Sequence, residues 1–77
     1  MSGTTGRIES IRAELALVVL DYSLSTMPAM GTVVTVSREG KEVGRVRVTG
    51  PTRPGTGKTA GEILDGNVQV GDLVHVE

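Results

Sequence analysis

The chain has 77 residues, eleven of them glycine, and a formal net charge of −1 from eight Lys and Arg against nine Asp and Glu. That length allows one domain, and the near-neutral balance carries no basic excess to advertise a nucleic acid or an anionic lipid. The absence of cysteine excludes disulfides, thiolate metal sites and a cysteine nucleophile, and with no Phe or Trp the core must be packed from Val, Leu, Ile and Met.

Residues 1–5 are small and polar and are expected to form a disordered tail ahead of a single domain over residues 6–77. The start has no apolar run resembling a signal peptide. The longest apolar run, residues 15–20, is too short to cross a bilayer, so no membrane insertion is expected. Residues 7–12 and 16–22 are predicted to form a first hairpin. Ile8, Ile11, Leu15 and Val18 also follow helical spacing, but the β-branched Val18-Val19 pair favours strand. Residues 23–30 form a loop, where Pro28 biases Met27 away from helix. Met27 and Met30 are expected to plug one end of the fold, although a methionine pair in a loop also suits an adaptable contact.

Residues 32–49 carry the clearest pattern. Val34 and Val36 share one face of a strand, and Val46 and Val48 share one face of the next. Arg45, Arg47 and Thr49 take the other face, the period of two that marks a half-buried hairpin. A two-residue loop would set Val34 opposite Arg45. The expected turn is therefore the three-residue Arg38-Glu39-Gly40, closed by Gly40 at positive φ with its bulge. Residues 50–58 are a loop. Residues 59–64 are a short strand or one helical turn, Asp65-Gly66-Asn67 a turn, Val68 and Val70 alternate, Gly71-Asp72 turns the chain, and residues 73–77 form a last strand. Both ends of the sequence are consistent with a domain cut from a longer protein. The fold class predicted is all-β: a small, six-stranded, mostly antiparallel barrel built from hairpins. Its expected core includes Val34, Val46, Val48, Ile63 and Val74.

Three patterns suggest chemistry. Gly55, Gly57, Lys58 and Thr59 match the second half of a phosphate-binding GxxxxGK[ST] loop, in which backbone amides cradle phosphate, the lysine reaches the terminal phosphates and the threonine holds magnesium. The first glycine is missing, since Thr52 takes its place, and glycines at 61 and 66 interrupt the segment that should become a helix. His75 is the one histidine. It alternates with Val74 and Val76 and stands three residues from Asp72, which sets the two on opposite faces of a strand, so neither a metal site nor a catalytic pair follows. Arg38, Lys41, Arg45 and Arg47 could form a basic stripe, but no aromatic stands on those strands to stack a base, and Glu39 and Glu42 partly neutralise it.

The hairpin Arg38-Glu39-Gly40-Lys41-Glu42-Val43-Gly44-Arg45-Val46-Arg47-Val48-Thr49 and the stretch Ala60-Gly61-Glu62-Ile63-Leu64-Asp65-Gly66, with Val70-Gly71-Asp72-Leu73-Val74, carry a resemblance. Together they resemble a family of small bacterial β-barrel domains that includes the C-terminal domain of flagellar assembly protein T and domains of envelope-associated proteins. The resemblance spans residues 7–77 and rests on turn and core positions. It implies a fold, a place in a larger bacterial protein and an envelope or periplasmic setting, and it assigns no catalytic residue. The function expected is a non-enzymatic structural or protein-interaction module, needing no cofactor, whose partner is another protein or neighbouring domain met through strand edges or loops. The alternatives are a nucleotide-binding unit using the GTGKT loop, or an OB-like oligonucleotide or glycan binder using Arg45 and Arg47.

Overall fold

The computed structural model describes residues 5–22, 29–50 and 57–76. Six strands, β1 (Thr5–Arg12), β2 (Leu17–Asp21), β3 (Val33–Arg38), β4 (Lys41–Val48), β5 (Lys58–Gly66) and β6 (Leu73–Val76), close into a barrel in the order β1-β2-β5-β4-β3-β6. Every pairing is antiparallel, which sharpens the expected "mostly". A single 3₁₀ turn (Ala13–Leu15) joins β1 to β2 and ends on Ala16 in the left-handed region, φ 54°. β1 starts at Thr5, a residue inside the expected tail; the rest of that tail lies outside the described residues. Val68–Val70, read as an alternating run, lies outside the strands.

The strand directions sort the connections. Residues 13–16, 39–40 and 67–72 gather at one end of the barrel. Thr5, Tyr22, residues 29–32, 49–50 and 57, and Val76 lie at the other.

The hairpin β3–β4 corrects the expected turn. Arg38 pairs with Lys41, leaving a two-residue loop, Glu39-Gly40, with φ 54° and 82°. Two consecutive positive φ values make a type I′ turn, whose twist suits the flanking strands. The register is rescued four residues away: Ser37 pairs with Glu42 but Val36 with Gly44, so Val43 is an extra residue in β4. That bulge restores Val34 opposite Val46 and returns all four valines to one face. The Val43 carbonyl, unpaired by β3, accepts the Asn67 amide at 2.9 Å. β1 carries a second bulge, at Glu9, and β5 a third, at Leu64.

Ile8, Val18, Leu20, Tyr22, Val34, Val36, Val46, Val48 and Val74 form the core, each at most 2% exposed. Ile11, Val43, Ile63 and Val68 pack against it half-buried, so Ile63, expected in the core, stands at its margin. Tyr22, the largest side chain inside, lies over the α-carbon of Gly6: a Cβ there would stand 2.7 Å from the ring. Gly6 thus makes room for the one aromatic in the barrel. Met30, expected to plug an end, is 67% exposed and plugs nothing, and Met27 lies outside the described residues. Closure also removes the strand edges through which a partner was expected to add: β6 is paired on both sides, to β1 and to β3.

Candidate interaction surface

The described part of the phosphate-loop pattern lacks that motif's strand-loop-helix geometry. Gly55 lies outside the described residues, and Gly57 has φ 71° with its carbonyl accepting the Tyr22 amide at 2.6 Å. Lys58 and Thr59 are not loop residues; they open β5, and strand continues to Gly66. A helix N-terminus, which would aim amides and a partial positive charge at phosphate, is replaced by a ladder whose amides face β2 and β4. The Lys58 ammonium reaches across β2 to Glu9 at 3.0 Å, and that hydrogen bond raises its pKa. Thr59 points inward and is 3% exposed. Its Oγ1, like the Tyr22 Oη, is buried with no hydrogen-bond partner among the described residues. Burial pushes the Tyr22 phenol up to about 12.

The basic stripe is cancelled by its neighbour. Arg45 and Arg47 stand opposite Asp65 and Glu62 in the β4–β5 register. Arg45 bonds Asp65 at 2.6 Å, and Arg47 comes within 3.8 Å of Glu62. A polyanion approaching this face meets alternating signs and not a positive groove. His75 is exposed, flanked in register by Thr5 and Thr35. Among the described residues no group of three or more His, Asp or Glu is placed to hold a metal ion.

Arg38 has a role that sequence reasoning missed. It turns away from the stripe to Asp72, with Nε at 2.8 Å from Oδ1 and Nη2 at 2.9 Å from Oδ2. Nη2 also donates to the Asn67 carbonyl at 2.8 Å, and the Gln69 amide donates to Asp72 Oδ2 at 2.8 Å. Asp72 is 4% exposed, and the Arg38 guanidinium holds its carboxyl below the usual carboxylate range despite burial. The same contact raises the Arg38 pKa. This bidentate pair ties the 67–72 loop to β3, while Ile8 exchanges backbone bonds with Gly71 and Asp72 at 2.9 Å each. The two partners are 34 residues apart, and the Gly71-Asp72 pair showed only a turn in sequence.

That fastening floors an open cleft of about 460 Å³ on the outer wall, between β1 and β3, with Arg7 and Ser37 beside it and Leu73 on its rim. Leu73 is 45% exposed and lies between Arg7 and Ser37 in register. Leu15, Leu17, Met30, Val70 and Val76 are also large, apolar and at the surface. The arrangement presents Leu73 to solvent beside paired charges. It offers no nucleophile–base pair and no charge cluster of one sign among the described residues. Local pattern does not reveal the cleft, because Arg7, Arg38, Asp72 and Leu73 are brought together only by closure.

No family model, curated protein or solved structure matches this chain. No helix among the described residues is long and apolar enough to cross a membrane.

Proposed function

We propose that this barrel is a non-enzymatic interaction module, a structural domain whose partner is a protein or neighbouring domain. One observation carries the reading. The charged side chains on the barrel wall are largely spent on one another, in the pairs Arg38–Asp72, Arg45–Asp65, Arg47–Glu62 and Lys58–Glu9, while six large apolar side chains stay at the surface. Apolar groups that a small core could have absorbed, but that face outward, suit contact with another protein surface. The motif resemblance to barrel domains of bacterial envelope proteins supports the same reading and a place in a larger chain.

The test is site-specific photo-crosslinking in cells that express the chain. A benzophenone amino acid at Leu17 or Leu73 is expected to give discrete crosslinked products, and the same group at the exposed, charged Glu42 is not. Absence of products at both apolar positions, together with saturable micromolar binding of magnesium nucleotide that disappears in Lys58→Ala, would replace this reading by the nucleotide one.

A further inference from the structure

The surface ion pairs are not spread evenly around the barrel. Arg45–Asp65 and Arg47–Glu62 join β4 to β5, and Lys58–Glu9 joins β5 to β1 across β2. The remaining wall is β1–β6–β3. There Gly6, Val74 and Val36 face the core, so the residues that alternate with them face outward in two rows. One row is Arg7–Leu73–Ser37, and the next is Thr5–His75–Thr35. Arg7 is the one full charge in these rows, and Leu73 is their one large apolar group. Their cleft end is held by the Arg38–Asp72 pair.

We infer that the cleft beside Leu73 seats a segment of a partner protein in which a large apolar side chain stands next to an Asp or Glu. Leu73 receives the apolar side chain, the Arg7 guanidinium receives the carboxylate, and the Ser37 hydroxyl donates from the other side. Arg7 and Ser37 flank Leu73 in register, each one strand spacing away, about 4.8 Å, so both reach a group seated on Leu73. The short side chain of Ser37 leaves that side of Leu73 open, which is where the cleft of about 460 Å³ lies. With β6 paired on both sides, the wall has no edge for an added strand, so the contact is made by side chains.

Charge selects this occupant. In the cleft floor Arg38 and Asp72 neutralise each other, and the charge of Glu39 on the rim also acts on Arg38. Arg7 has no ion pair among the described residues. Its neighbour away from Leu73 is Asp21, which stands in register with Lys58 as well, and the charge of Asp21 acts on that lysine. On the Leu73 side the guanidinium therefore meets only an apolar group, an arrangement that suits one carboxylate carried beside an apolar side chain. A polyanion would be repelled by Glu39, and a basic segment by Arg7. The contact is small and open, so a short segment binds weakly by itself.

This inference rests on the interaction-module reading and names the chemistry of the partner; peptide titration followed by NMR of the isotope-labelled chain tests it separately. Acetyl-Leu-Glu-amide is expected to shift the amides of Arg7, Ser37 and Leu73 more than those of Arg45 and Glu62 on the ion-paired wall. Acetyl-Leu-Lys-amide and acetyl-Ala-Glu-amide are each expected to bind about threefold or more weakly. Arg7→Glu is expected to reverse the charge preference, so that the Lys peptide binds better than the Glu peptide, a result that loss of structure does not produce. Circular dichroism melts verify that the variant is folded; if it is not, Arg7→Gln is expected to remove the preference. No binding of the Glu peptide, shifts spread evenly over the barrel, equal binding of the Glu and Lys peptides, or a folded Arg7 variant that keeps the wild-type preference would overturn the proposal. Crosslinks in cells from Leu17 with none from Leu73 would overturn this cleft as the site and leave the module standing.

Discussion

Glu39 is the residue at which local chemistry and the fold disagree most. It holds φ 54°, beside Gly40 at 82°, in a turn whose first position favours Asn or Asp, because a side chain that can bond its own backbone tolerates the left-handed region. Glutamate has no such compensation. Glu39→Asn is therefore expected to raise the unfolding free energy by about 0.5–1 kcal/mol, and Gly40→Val to lower it by more than ~1 kcal/mol. Urea melts of the two variants check both signs, and Gly40→Val matching wild type would show that the turn is elsewhere. The need for a left-handed glycine at position 40 was legible because only an odd count between the strands keeps the valines together. The residue that supplies the odd count was not. It is Val43, and a bulge at a valine within an alternating run leaves no mark in the sequence.

The same device explains the ambiguity of the first hairpin. Ile8 and Ile11 are three apart, a helical spacing, yet both face the core of a strand, because the bulge at Glu9 inserts a residue between them. β-Branched Val18-Val19 in the partner strand decided between helix and strand where periodicity could not. In β4, Val46 is fully buried opposite Val34 and beside Ile63. Val46→Ala is expected to cost on the order of 1–3 kcal/mol by lost burial and an unfilled cavity, while exposed Lys41→Ala costs little. Equal urea midpoints for the two would contradict the core assignment. The 67–72 loop is fastened by a charge pair, and its contribution depends on pH. Asp72 has its carboxyl pKa lowered by Arg38, so the folded state gains stability above the unfolded carboxyl value of about 3.9 and loses it as pH falls through the lower folded value. Asp72→Asn has no proton to lose there. Thermal melts from pH 7 downward should show it less stable than wild type at neutral pH, with the gap narrowing below about pH 4. A gap that does not change with pH would mean that the pair contributes by shape alone.

At the scale of the molecule, alternation and turn residues carried the strand count and the antiparallel class, but not which strands are neighbours. β6 is four residues long, and nothing in Leu73–Val76 shows that it fills the gap between β1 and β3. That placement closes the barrel, removes the edges, builds the cleft at Leu73 and forces any partner onto the outer walls. It is also why the proposed contact is a face and not an added strand. Closure has a direct readout in amide hydrogen exchange. Successive residues of an antiparallel strand direct their amides to opposite neighbours, so a strand paired on both sides protects consecutive amides and an edge strand protects alternate ones. With β6 paired to β1 through Leu73, Val74 and His75 and to β3 through the same residues, we expect slow exchange at all three consecutive amides by NMR. Protection that skips every other residue of β6, or fast exchange along its whole length, would open the barrel and contradict the closed fold on which the proposed interaction module rests.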